Sequence, residues 1–290
     1  MVAVMTACVT FVGVSPGAGT TTLAINMAAL LGVVARQKTL LLDTSGNRRG
    51  ICYHLGVPST GGLLALATPW LRNGCVSADK LVQQVVHYEP GRPWPPGVSA
   101  LDILPGFDRD ALSPTEADRI FAYRGIQLVH AVCQAAQDAG YEFVLLDNGD
   151  WKDSSLGVLV PGSANAMVFV SEHVILVSSS SDESVRAAER FFGSLRAGGR
   201  SALIVFNRTK GWSFRMNYED LLKRLPHRLV PSAEKAFWGE CEVQRTPAVL
   251  CGAGRAPRQR DGTVKALIDV ARDLFPQVKQ AMRDSQGRPL

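Results

Sequence analysis

Apolar residues in this chain come in short blocks separated by turn-forming residues. Residues 7–14 (ACVTFVGV), 39–42 (TLLL), 100–104, 143–146 (FVLL), 173–177 (HVILV) and 202–206 (ALIVF) are brief, largely apolar runs rich in β-branched side chains. Such runs read as strands buried on both faces. A shorter one, 228–230, precedes Pro231. Between the blocks the period changes to that of a helix. Residues 23–35 are rich in alanine and leucine, 126–139 end at Gly140, and 182–196 are amphipathic. In 262–282 the apolar positions Val264, Leu267, Ile268, Ala271, Leu274, Phe275 and Val278 recur at helical spacing. Shorter helices are expected at 63–70 and 78–86. Ser113-Pro114-Thr115-Glu116 has the form of a helix start, with a capping serine and a glutamate three residues on. Strands alternating with helices predict an α/β fold: a doubly wound, mostly parallel sheet with helices on both faces. No linker or internal repeat divides the chain, so residues 1–282 are expected to form one domain, and the polar tail 283–290 is expected to fray.

Composition adds little to this picture. Of 290 residues, 46% are hydrophobic and 20% charged, as in ordinary globular proteins and unlike disordered ones. A net charge of +5 permits contact with nucleic acid or an anionic membrane without demanding either. Cys8, Cys52, Cys75, Cys133, Cys241 and Cys251 include no C-x-x-C pair, and several lie in apolar runs. Buried free thiols and a cytoplasmic location are expected. The five histidines form no metal-ligand spacing with them. No apolar stretch reaches about twenty residues, so no membrane span is expected. The apolar start at Val2 lacks a basic flank and leads into the first strand, as a core segment would and a signal peptide would not.

The chemistry concentrates where strands end. Ser15-Pro16-Gly17-Ala18-Gly19-Thr20-Thr21-Thr22 lies between a buried strand and a helix. A glycine-rich turn there points backbone N–H groups at an anion, and the helix dipole adds positive potential. Gly17 and Gly19 permit close approach, and Thr21 stands where a hydroxyl would meet magnesium. A tight turn that binds nothing has the same local sequence. Asp43 after TLLL and Asp147 after FVLL shift the balance, because ligands in such sheets bind at the carboxyl ends of strands. The serine run 178–181 reads as a loop, without the motif that surrounds a nucleophile.

Taken in order, these residues resemble the ParA/MinD family of deviant Walker-A ATPases. The family loop, K-G-G-x-G-K-[ST]-[ST], aligns with Ser15–Thr22; its D-x-D motif is similar to Asp43-Thr44-Ser45; its Walker-B segment is similar to 141–147; and its asparagine-arginine pair looks like Asn207-Arg208. The likeness continues through Val230-Pro231, residues 245–249 and the helix from Gly262, and so covers most of the chain. It implies a P-loop NTPase-like fold that binds ATP and magnesium. The cradle would be Gly17, Ala18, Gly19, Thr20, Thr21 and Thr22, with Asn207 and Arg208 at the base. Thr21 and, through a water, Asp147 would hold magnesium, and Asp43 would lie nearest an attacking water if hydrolysis persists. A homodimer and a protein partner or cargo are further implications.

The departures are equally definite. Ser15 replaces the signature lysine, Thr20 replaces the lysine of the phosphates, and Ser45 replaces the second acidic residue of D-x-D. Each lost lysine removes a charge-assisted hydrogen bond worth about 1.5–3 kcal/mol. That is roughly ten- to a hundredfold in affinity. A missing cation on a transferring phosphoryl group can cost about 10³–10⁵ in rate. Arg48, Arg49 and Lys152 are candidate substitutes, and as surface charges they also need no function. The expectation is weak binding with slow or no hydrolysis in a positioning or partitioning switch. The alternative is a pseudo-ATPase scaffold that binds a partner in a secretion, pilus or conjugation apparatus. The basic segment 255–260 (RAPRQR) could meet DNA phosphates nonspecifically or simply be solvated. The tail lacks an apolar anchor, which argues against membrane attachment.

Overall fold

The computed structural model describes residues 6–45, 50–91, 94–106, 125–150, 170–207, 209, 225–230, 247, 249–250, 262–278 and 281–282. In these, β1 (Ala7–Gly13) leads through the glycine loop into α1 (Thr20–Ala29), which continues as a π-helical turn over Leu30–Val34. There follow β2 (Thr39–Asp43), α2 (Ile51–Leu55), α3 (Gly62–Asn73), α4 (Ala78–Val82), β3 (Val86–His87) and β4 (Leu101–Leu104). The second half contains α5 (Gly125–Asp138), β5 (Phe143–Asp150), β6 (His173–Ser178), α6 (Asp182–Ala197), β7 (Ser201–Asn207), β8 (His227–Val230) and α7 (Gly262–Leu274).

The strands form one sheet in the order β3-β4-β2-β5-β1-β6-β7-β8. Every pairing is parallel except β3 with β4. The expected doubly wound sheet is therefore present, and the alternation of strand residues explains its two covered faces. On one face Val9, Phe11, Leu41, Leu145, Ile175 and Val205 pack beneath α1 and α7. On the other, Leu40, Leu42, Val144 and Leu146 meet α3 and α5, while Val12, Val174, Leu176 and Phe206 meet α6. Both faces of the central strands are apolar, which is why those strands read as unbroken hydrophobic runs.

Several sequence expectations need correction. The helix expected over 78–86 ends at Val82, and Val86 and His87 instead pair with Ile103 and Asp102 at the sheet edge. The helix expected over 262–282 stops at Leu274, because Pro276 has no N–H to continue it; Pro276–Val278 turn as a 3-10 helix. Val278 and Met282 still reach the core despite this break. The strand expected at 143–146 continues to Asp150. Helix α2 was not anticipated. Cys75 is exposed, against the expectation of buried thiols, whereas Cys8 and Cys52 are buried. The helix start at Ser113, Cys241, Cys251, the segment 255–260 and the tail 283–290 lie outside the described residues. No helix among the described residues is long and apolar enough to cross a membrane.

Candidate phosphate-loop site

The loop after β1 owes its shape to two glycines and a buried asparagine. Gly17 and Gly19 have φ of +70° and +91°, values that L side chains rarely adopt. Gly19 is the N-cap of α1, and no side chain caps that helix. A Cβ at Gly19 would lie 2.3 Å from Nδ2 of Asn207. That amide donates to the Ala18 carbonyl at 2.9 Å. Asn207, at the end of β7, thus presses on the loop from two strands away, across β6. Arg208 lies outside the described residues, as do Arg48, Arg49 and Lys152.

The first turn of α1 contains no acidic residue and begins with buried Thr20. Thr20 Oγ1 is buried with no hydrogen-bond partner. An orphaned buried hydroxyl costs about 1–3 kcal/mol. The chain therefore holds an unused donor at the N-terminus of α1. Thr21 and Thr22 are partly exposed beside it. Deeper in the helix, buried Asn26 donates to Thr22 O (2.8 Å) and accepts from Val249 N–H (2.9 Å). It ties residues 249–250 to the back of α1.

Asp43 and Asp147 are register partners on β2 and β5. By alternation their side chains leave the sheet on the same face as Leu41 and Leu145, the face that α1 covers. The two carboxylates are employed differently. Asp43 is buried; Oδ1 accepts from Ser45 N–H (3.0 Å) and Ser45 Oγ–H (2.7 Å), and Oδ2 accepts from Ile51 N–H (3.1 Å). It therefore joins Ser45, just past β2, to the start of α2, which it caps. Burial raises its carboxyl above the ordinary range, against the pull of these hydrogen bonds. Burial, with the Asp43 carboxylate second, also pushes the Cys52 thiol up to about 12. Asp147 Oδ1 accepts from Gly149 N–H at 3.2 Å. Thr44 donates through both its N–H and its hydroxyl to the Asp147 carbonyl, at 2.9 Å each, and so laces the end of β2 to β5.

Ser15 does not reach outward. Its hydroxyl meets Ser184 Oγ at 2.8 Å, inside the first turn of α6. Ser184 also contacts Ser178 Oγ (2.9 Å) and accepts from Ser179 N–H (3.0 Å). Sequence reasoning missed Ser184, Thr44 and Asn26. The serine run offered a weak signal, but only the fold shows that its loop adjoins the glycine loop. The remaining candidates, from Gly17 to Thr22 with Asn207, Asp43 and Asp147, do gather at the carboxyl edge of the sheet.

A glycine loop and an uncapped helix between parallel strands, with aspartates paired across the adjacent strands β2 and β5, define a P-loop NTPase-type α/β fold. Solved structures similar to it include MinD and ParA proteins. MinD of Pyrococcus horikoshii, complexed with Mg-ADP, aligns with a TM-score of 0.64 at 17% identity, over 93% of this chain and 96% of that one. The MinC:MinD cell division complex of Aquifex aeolicus gives 0.64 at 19%, over 93% and 96%. A ParA-family ATPase of Chlorobium tepidum gives 0.66 at 17%, over 93% and 99%. No family model matches the sequence, and no curated protein does so significantly.

Proposed function

We propose that this chain is a nucleotide-binding protein of the ParA/MinD type, acting as a positioning or partitioning switch or a recruitment scaffold with weak or no ATP hydrolysis. The supporting observation is the start of α1. Its first-turn N–H groups have no side-chain cap, and Thr20 Oγ1 is a buried donor without an acceptor. A phosphate group would satisfy both. The residues present also fit magnesium: the Thr21 hydroxyl and the Asp147 carboxylate, the latter through water, are the hard oxygen donors it takes. Bound there, the ion would neutralise phosphate charge that no lysine of the loop offsets. Backbone groups of Gly17, Ala18 and Gly19 would cradle the phosphates, and Asn207 and Arg208 would meet the base. Asp43 is poorly placed to handle water while Ser45 and Ile51 occupy its oxygens, which favours slow or absent turnover. Face-to-face homodimerisation and a protein partner, as in the MinC:MinD complex, belong to this reading.

The alternative, a scaffold that binds a partner without nucleotide, is favoured by one observation. The residue at the signature-lysine position is tied within its own chain to Ser184. Calorimetric titration with ATP, with and without magnesium, separates the two. Saturable, magnesium-dependent binding weakened at least tenfold by Thr21→Ala is expected. Absence of heat at millimolar ATP would leave only the scaffold.

A further inference from the structure

The hydroxyls around α6 can be assigned donor by donor. Ser178 gives its proton to the Ser179 carbonyl at 3.0 Å. The bond between Ser178 and Ser184 at 2.9 Å must then be donated by Ser184. Ser184 Oγ also accepts from Ser179 N–H, so its one proton is spent and one acceptor site remains. The 2.8 Å contact with Ser15 is therefore closed by the Ser15 proton. Ser184 is fully satisfied and fully buried. Ser15 points its only side-chain donor away from the cradle, toward α6. The Ser15 carbonyl meanwhile accepts from Ala18 N–H at 3.2 Å, closing the turn that carries Gly17.

We infer that Ser184 is a positioning residue of the phosphate loop: by taking the Ser15 proton it fixes the root of the loop against the first turn of α6. The inference rests on the nucleotide reading of the loop, because a loop that binds nothing has no pose to maintain. Ser184 touches no ligand in this arrangement, and neither does the Ser15 hydroxyl. Both act through the turn at Ser15–Ala18. The first turn of α6 is itself held by Ser181, whose Oγ accepts from Ser184 N–H at 3.3 Å. The backbone and side chain of one serine thus join a helix cap to the glycine loop.

The test is a double-mutant cycle with two readouts. Ser15→Ala, Ser184→Ala and the double variant are followed by amide hydrogen exchange of the unliganded protein and by MgATP calorimetry. Ser15 is only partly buried, so its variant keeps the fold even if Ser184→Ala loosens α6. Each single change should speed exchange in the loop peptide around Ala18 about three- to tenfold, the worth of one hydrogen bond. Each should lower MgATP affinity by a similar factor, and the double variant should lose no more than Ser184→Ala alone. A merely structural hydroxyl would speed exchange in α6, leave the loop unchanged and add to Ser15→Ala; that pattern overturns the inference. If the wild-type protein binds no MgATP, the nucleotide reading fails, and the exchange cycle still decides the tether.

Discussion

Among the described helices that begin at the carboxyl edge of the sheet, the chain closes α2, α6 and α3 itself, the last through Leu63 N–H to the Pro105 carbonyl at 2.9 Å. Helix α6 starts with Ser181 as its cap and carries Asp182 and Glu183 in its first turn. Helix α2 takes the carboxylate of Asp43 on Ile51 N–H. Both arrangements supply oxygen to groups that a helix leaves unpaired, and negative charge to the positive end of its dipole. Helix α1 has neither: its N-cap is a left-handed glycine, its first turn is threonines, and its first hydroxyl is orphaned. On one edge of one fold, the same polypeptide finishes several helices from within. What sets α1 apart from α3, which also starts at a glycine of positive φ, is the buried Thr20 hydroxyl without a partner, and the proposed phosphate rests on that difference.

The comparison is broken most severely at Asp43. Replacing it with alanine removes three hydrogen bonds together, those from Ser45 N–H, Ser45 Oγ and Ile51 N–H, and should cost about 3 kcal/mol of stability in denaturant unfolding. The effect should depend on pH with a definite sign. Because the folded-state pKa is raised, the native protein holds this proton more tightly than the unfolded chain. The group's contribution is full below the ordinary carboxyl value of about 4 and is lost as pH rises through the raised folded value. The stability gap between wild type and variant should therefore narrow as pH rises from about 4. A flat gap would show that Asp43 titrates normally. If MgATP stabilises the Asp43→Ala protein as much as the wild type, Asp43 serves the fold rather than the ligand.

Gly19→Ala comes next. The new methyl group meets the Asn207 amide and must sit at φ +91°. About 2 kcal/mol of destabilisation is expected, together with loss of MgATP binding. At α6, by contrast, Ser181→Ala should cost about 1 kcal/mol as an ordinary lost cap, with MgATP affinity nearly unchanged. If Ser181→Ala abolished binding, the two helix starts would not be functionally distinct.

Much of this organisation was legible in the sequence, because buried parallel strands announce themselves as apolar runs. The sheet, the glycine loop and the strand end at Asp43 were expected from such runs, and the structure contains them, while Asp147 lies inside a strand that continues to Asp150. What failed had local causes. The helix expected over 78–86 gives way after Val82, because edge pairing with β4 claims Val86 and His87. The helical spacing after Leu274 survives a proline that breaks the helix, since a 3-10 turn still delivers Val278 to the core. At the site, the sequence could show which residues lie near strand ends but not which atoms they bond. That Asp43 caps α2, that Asn207 braces Ala18 and that Ser15 turns toward Ser184 all depend on residues far apart in the chain. Asn207 and Ala18 are brought together only by the order of strands in the sheet.

The smallest expected effect is the most discriminating, because its sign is unusual. Thr20→Val keeps a β-branched side chain of nearly the same shape and removes only the orphaned hydroxyl. A buried polar group without a partner costs free energy that an apolar isostere does not. The unliganded variant should therefore be more stable than the wild type by about 1 kcal/mol, seen as a rise of roughly 2–4 °C in Tm for a chain of this size. If a phosphate oxygen is the missing acceptor, the same change should weaken MgATP binding about tenfold. Stability gained with affinity lost would identify Thr20 as a residue kept for a ligand. Stability gained with affinity unchanged would show that the hydroxyl is relieved by no nucleotide, and would move the weight of binding to the backbone of Gly17–Gly19. A loss of stability would mean that Thr20 has a partner in solution, and α1 would no longer differ from the helices that the chain completes for itself.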